Sequence, residues 1–367
     1  MDTLQLTNES TTIIENNGSN EESTLVLQRV NCPSNDNVIN EIILPSKING
    51  MIPNEVVSKP LFIPKPFIEA NTSEIGLHTL KNECVIPVFS KDNERTIAHQ
   101  EFIDIALESA LKVFPHHSFD APEIRVSHQI KGRTPDAIQK NVKDLLDHER
   151  TQYFERMAFI IRIPSIVETI NGNEIALCLG GVRSYNLENL YNKKTIEKFK
   201  FFIGFQVKVC CNLAVSSDGF VEEMRVSSYQ ELESKILEVL QNFNAEKQLA
   251  QMKQLSEYSL TEHQFATLLG RTRLYQHLPK KDKVDVPFLS FNDGQLNSIA
   301  KDYYEDTSFS RNENGDINLW NVYNLFTQAN KSSYIDTFLD RNVNAFNFSN
   351  SLLKTLNGSS NYHWFLS

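Results

Sequence analysis

The run FKFFIGFQVKVCCNLAV, residues 199–215, constrains this chain more than any other stretch. Phe199, Phe201, Ile203, Phe205, Val207, Val209, Cys211, Leu213 and Val215 alternate without a break with Lys200, Phe202, Gly204, Gln206, Lys208, Cys210, Asn212 and Ala214. Successive side chains of a strand point to opposite faces, so the pattern predicts a strand with one core face and one mixed polar face. Slipping the register by a single residue would turn the whole apolar set outward. The run is long for one strand, and Gly204 is the expected place for a bulge or bend.

Its neighbours read as partners in a sheet. RMAFIIRIP (156–164) is apolar at nearly every position, as expected for a strand covered on both faces. Asn171-Gly172 in the following stretch is a strong hairpin-turn signal, with a slightly longer loop also compatible with the flanking pattern. EIRVSHQI puts Ile124, Val126, His128 and Ile130 on one side and Arg125, Ser127, Gln129 and Lys131 on the other. Order is expected to begin near Cys84, with ECVIPVF as a short strand. An amphipathic helix follows, on the stripe Phe102, Ala106, Ser109 or Ala110, and Val113. Thr134, Pro135 and Asp136 suit an N-cap, a first helical position and the dipole, predicting a helix over 134–148.

Beyond Gly219 the periodicity becomes helical. One long helix is expected over 228–257, and a second capped by Ser259 or Thr261. A third should be capped by Asn292, and two more should lie in NLWNVYNLFTQAN and YIDTFLDRNVNAFNFSNSLLKTL. The expected fold is α+β: an antiparallel-rich central sheet with flanking helices, then a mainly helical C-terminal half. The expected divisions are an extended polar arm and Pro-rich connector over 1–66, a sheet domain over 80–220 and a helical region over 221–360. Residues 1–60 carry ten Asn and 8 acidic against 3 basic residues. Such a composition buries little apolar surface to offset the entropy of ordering.

The net charge of −10 is unevenly spread. Residues 121–213 hold 14 Lys/Arg against 10 Asp/Glu, and the remainder 22 against 36. A basic middle in an acidic chain points to an anionic partner. The five cysteines form no CxxC pair, and no run of apolar residues is long enough to span a membrane. A cytoplasmic protein with reduced thiols and no membrane partner is expected.

Catalytic motifs are absent. Asp144, Asp147 and His148 would share a helix face at i, i+3 and i+4, but such charges usually form a solvated face. Asp136 with Gln206 and Lys208 imitates a metal-dependent nuclease set, yet Gln206 is no carboxylate for a divalent cation. There is no G-x-S-x-G, Cys210 and Cys211 suit buried small hydrophobes, and Gly180-Gly181 matches no phosphate-binding loop. No cofactor is expected. A second basic cluster, Arg271, Arg273, Lys280, Lys281 and Lys283, falls at a helix end, where cations are favourable anyway.

What remains is a sheet face carrying Arg125, Lys131, Arg162, Lys200 and Lys208 with Phe202 among them. Arg183 joins it if Gly180-Gly181 bulges its strand, and Arg133 extends it past Lys131. Cations that track phosphates and a ring, Phe202 or Tyr185, that stacks on bases suit single-stranded nucleic acid. The opposing expectation is that a C-terminal helix covers this face and Phe202 is core.

SHQIKGRTP (127–135), GGVRSYN (180–186), the 199–213 run and LWNVYNLFT (319–327) together resemble an uncharacterised family carried by plasmids, conjugative elements and prophages of Bacteroidetes-type bacteria. The last motif, with Trp320, Tyr323, Asn324 and Thr327, also resembles the broader phage/plasmid-like protein family. The resemblance spans roughly residues 80–360. It implies a mobile-element accessory protein and supplies no catalytic residues. The leading expectation is thus a non-enzymatic protein that binds nucleic acid, single-stranded DNA in particular, through the basic face. The alternative is an interaction or inhibitor protein acting on a host or element-encoded complex, and the third a metal-dependent nucleic-acid enzyme.

Overall fold

The computed structural model describes strands at 11–15, 23–30 and 39–43, together with residues 65–85, 96–185, 196–284, 286–358 and 363–367. The chain divides into two compact units, residues 1–62 and 63–367. In the first, β1 (Thr11–Glu15), β2 (Ser23–Val30) and β3 (Ile39–Ile43) pair antiparallel in the order β1-β2-β3. The rest of the polar arm and the connector up to residue 64 lie outside the described residues.

In the second unit the chain runs through β4 (Ser73–Glu74), α1 (Leu77–Asn82), α2 (His99–Val113), β5 (Glu123–Arg133), β6 (Arg150–Ile170), β7 (Asn173–Ser184), β8 (Glu197–Val207), β9 (Leu213–Ala214) and β10 (Phe220–Val226). These strands form an antiparallel sheet in the order β10-β8-β7-β6-β5-β4, with β9 added on β8. Helices follow: α3 (Tyr229–Asn242), α4 (Ala245–Ser256), α5 (Glu262–His277), α6 (Asp293–Glu305), α7 (Leu319–Asn330) and α8 (Ile335–Leu356), with a small ladder of β11 (Ser259–Leu260) and β12 (Ile317–Asn318). The fold is α+β with a mostly helical C-terminal half. No helix among the described residues is long and apolar enough to cross a membrane.

Both faces of the sheet are covered. On one, Phe159, Ile161, Leu179, Phe201 and Ile203 pack with Phe102 and Ile103 of α2 and Leu232 and Ile236 of α3. On the other, Ala158, Ile160, Cys178 and Phe202 pack with Phe67, Ile68 and, from α8, Ile335, Phe338 and Leu339. Gly180 and Gly181 lie where the two layers press closest. A Cβ on Gly180 would fall 2.8 Å from the Phe202 ring, and one on Gly181 would fall 2.5 Å from the Phe102 ring. The Gly-Gly pair is thus a packing feature of β7. The pair also stays in register with β6 and β8, so it makes no bulge.

Several expectations are revised. The 199–215 run is a hairpin: β8 ends at Val207, and β9 folds back to pair Phe205 with Ala214 and Gln206 with Leu213. The reversal lies at 208–212, where Cys211 has a left-handed backbone (φ 57°), and not at Gly204. In the second unit the described residues begin at 65, ahead of Cys84, and Phe67 and Ile68 are already core residues. The expected strand after Cys84 lies outside the described residues beyond Val85. The 228–257 helix is two, split where Asn244 caps α4 by accepting from Lys247 N. The Asn171-Gly172 hairpin is a two-residue turn with both residues at positive φ, closed by the Ile170–Asn173 pair.

The helix expected over 134–148 is absent, replaced by three short 3-10 turns. Arg133 and Arg150 are cross-strand partners, so the ends of this connection are held about 5 Å apart. A helix of that length would span roughly 22 Å. Strand pairing therefore overrides a good N-terminal helix signal.

Phe202→Ala is expected to lower the free energy of unfolding by about 3–5 kcal/mol in a denaturant titration, the cost of a cavity between sheet and α8.

Candidate anion-binding site

Beyond Ser127 the β5–β6 pair leaves the body of the sheet as a two-stranded arm. Residues 128–132 of β5 are all exposed, and β4 pairs only with Arg125 and Val126. On the arm Lys131 stands opposite Gln152, and Arg133 opposite Arg150. Like charges directly across a ladder are unfavourable unless something compensates them. Here backbone carbonyls do part of this: Arg133 Nη1 donates to Ile138 O (3.2 Å) and Lys140 O (2.6 Å), and Arg150 Nη2 to Leu145 O (3.1 Å). Asp147 lies 3.5 Å from Arg150 Nη1, with both side chains largely in solvent. Exposed pairs of this kind contribute little. Each guanidinium keeps further N–H donors, and Lys131 has no ion-pair partner among the described residues.

These side chains border a cleft of about 1070 Å³ between the end of α1 and the arm. Lys131, Arg133, His148 and Arg150 line it, against Glu83 and Asp147. Among the described residues its one ring is the His148 imidazole, and no Phe, Tyr or Trp lines it. The arrangement can hold an anion but has no large aromatic platform for a base.

The other expected site residues lie elsewhere, because the face they share is covered. Phe202 is 1% exposed and belongs to the core under α8. Lys200 Nζ reaches across to α8, bonding Asp336 O at 2.8 Å and the Asp340 carboxylate. Arg162 bonds Glu123 (2.5 Å) and Gln206. Arg125 bonds Thr72 and lies 3.7 Å from Glu74. Lys208 pairs with Glu174 at the surface. Of the expected nine, only Lys131 and Arg133 line the arm cleft.

Arg183 and Tyr185 form a separate buried cluster. With no bulge at Gly180-Gly181, Arg183 pairs with Met157 and faces the α2 side of the sheet. Its guanidinium pairs with Glu197 and lies 4.6 and 4.4 Å from the Tyr185 and Phe199 ring centroids. Burial holds the Glu197 carboxyl above its usual range despite the arginine. His99, the first residue of α2, stacks on Tyr185 at 4.1 Å, and its Nε2 contacts Phe154 O at 2.9 Å. Burial, then the charge of Arg183, pushes the His99 imidazole down to about 3. This ring is a neutral structural group, not an acid–base catalyst near neutral pH.

Other candidates resolve into structure. Asp144, Asp147 and His148 are split between two 3-10 turns. Among the described residues no group of three or more His, Cys, Asp or Glu is placed to hold a metal ion. Cys178, Cys210 and Cys211 are buried, and burial raises each thiol, Cys178 to about 12 and Cys210 to about 11. In the second basic cluster Arg271 bonds Ser367 O and lies over Trp364, while Lys283 lies over Tyr275. Arg150 was not singled out from the sequence, and His148 was weighed only as a metal ligand beside Asp144 and Asp147. The signal for Arg150 is its register against Arg133, which needs the pairing to be known.

A family model described as "Domain of unknown function, B. Theta Gene description (DUF3871)" matches residues 47–366. The chain belongs to that family. The match begins well before residue 80, in keeping with the core role of Phe67 and Ile68. No curated protein and no solved structure matches the chain. The stretch LWNVYNLFT serves packing: Asn212 Nδ2 donates to Asn324 O (3.1 Å), Tyr323 OH to Leu213 O (3.3 Å), and Asn324 Nδ2 to Trp320 O (2.9 Å). The first two bonds fasten α7 to the β8–β9 hairpin.

His99 yields a pH prediction. Its folded value lies below the ordinary 6.5, so the unfolded chain binds the extra proton between the two. This contribution is fully present above about 6.5 and is lost as pH falls toward about 3. Over that window His99→Gln is expected to flatten the fall of unfolding free energy with decreasing pH, by up to about 1.4 kcal/mol per pH unit, in denaturant titrations.

Proposed function

We propose that this protein is a non-enzymatic, cytoplasmic accessory protein of a mobile element that binds single-stranded nucleic acid at the β5–β6 arm and not at the sheet face. The observation that carries the reading is the cleft lined by Lys131, Arg133, His148 and Arg150. The resemblance in four motifs supports the mobile-element setting. Since no Phe, Tyr or Trp among the described residues lines the cleft, contact is mainly to phosphates and tolerant of sequence. Three cations on phosphates give a log–log salt slope of roughly −2 for a single strand.

In fluorescence anisotropy with a labelled single-stranded oligonucleotide, Lys131→Glu should weaken binding by about tenfold at low salt. Lys208→Glu, on a paired surface lysine outside the cleft, should leave it unchanged. No binding of the unaltered chain to single-stranded DNA or RNA at low salt would falsify the reading.

A protein-interaction role against a host complex has its own support. Ile138, Val142 and Leu146 on the arm connection are 65%, 67% and 54% exposed, apolar side chains of the kind found at docking surfaces. Ile138→Ser, outside the cleft lining, should abolish recovery of a host partner in a pull-down while leaving oligonucleotide affinity intact.

A further inference from the structure

The outer edge of β5 carries a second, independent signal. Among the described residues, nothing pairs with the stretch 127–133 on its outer side, while β6 pairs with it on the inner side. Val85 N donates to Gln152 O at 2.8 Å, so the Gln152 carbonyl is turned away from β5. In an antiparallel ladder directly opposed residues turn their backbone groups the same way with respect to each other. Lys131, opposite Gln152, therefore presents its N–H and C=O to the outer edge, and by alternation so do Gln129 and Arg133. His128, with a left-handed backbone (φ 57°), separates this free stretch from the part of β5 bonded to β4.

We propose that two copies of this chain pair antiparallel along this edge, about a two-fold axis at Ile130. This axis sets Ile130 against Ile130 of the second copy and pairs Lys131 with Gln129 in both directions, while Arg133 falls opposite the neutral Ser127, whose backbone turns to β6 beyond the break at His128. Gln129 Nε2 already donates to Gln152 Oε1 (2.5 Å), leaving its own carbonyl oxygen to accept from the opposed lysine.

The charges select this register. Backbone direction allows only pairings in which outward-facing residues meet one another. An axis at Gln129 would run Arg133 toward Arg125, where β4 already occupies the edge, one at Lys131 would set Lys131 against itself, and one at Gly132 would set Lys131 against Arg133. Like charges directly opposed are destabilising. Of these four registers, only the axis at Ile130 places each cation opposite a neutral acceptor, and it buries the half-exposed Ile130 (39%). The cationic residues that ordinarily guard a sheet edge against pairing here choose among pairings. The two sheets become continuous through β5, in a closed, isologous contact. This inference does not rest on nucleic-acid binding.

Sedimentation velocity on the full chain tests it. A reversible dimer is expected. Gln129→Glu adds a carboxylate opposite each Lys131 and should tighten the dimer by about tenfold, whereas Gln129→Lys should weaken it by a similar factor. Ile130→Lys should leave a folded monomer. A chain that stays monomeric in both the unaltered and Gln129→Glu forms overturns the proposal, as does a dimer indifferent to the sign of charge at 129. Oligonucleotide affinity is read separately by anisotropy, so its absence leaves the sedimentation result standing.

Discussion

The closeness of two layers of side chains on β7 governs much of this structure. Phe202 and Phe102 approach the Gly180-Gly181 backbone from opposite sides, leaving no room for a Cβ at either position. A sheet gripped in this way has no open face in its middle. Charged side chains on its inner strands must then find partners inside the protein, since a buried unpaired charge is costly. Lys200 turns to Asp340 on α8, Arg162 to Glu123, and Arg183 to Glu197. The basic middle of the sequence is in large part a set of internal ion pairs.

The same constraint moves any recognition outward. Where β5 runs past the body of the sheet its residues 128–132 are exposed, and Lys131, Arg133 and Arg150 lie close together. The connection between the strands folds back so that its carbonyls accept from both arginines. Those bonds orient the guanidinium groups without neutralising them. An anion at the cleft and a second copy at the edge would use the same arm in different ways, one through side chains and the other through backbone groups.

Local chemistry was legible where it is self-contained. Ser228, Thr261 and Asn292 cap α3, α5 and α6 as their sequences indicate, each accepting from the backbone N–H three residues on. Asn171-Gly172 turns the β6–β7 hairpin for an equally local reason, positive φ at both positions. The failures occur where distant residues decide. Thr134-Pro135-Asp136 is a sound helix start, yet the pairing of Arg133 with Arg150 closes the segment too tightly for a helix. The 199–215 alternation continues through a reversal because the residues of the turn happen to keep the period, and only the pairing of β9 with β8 reveals it.

By itself, then, the sequence determined which side chains share a face, where several helices start, and that the fold combines an antiparallel sheet with helices. These follow from the two-residue period of a strand and from capping within one turn. Only the tertiary structure decided that the face bearing Phe202 and Lys200 is closed, because what closes it comes from Phe67, Ile68 and α8, far away in the chain. Periodicity assigns a side chain to a face, and what covers that face depends on residues outside the period.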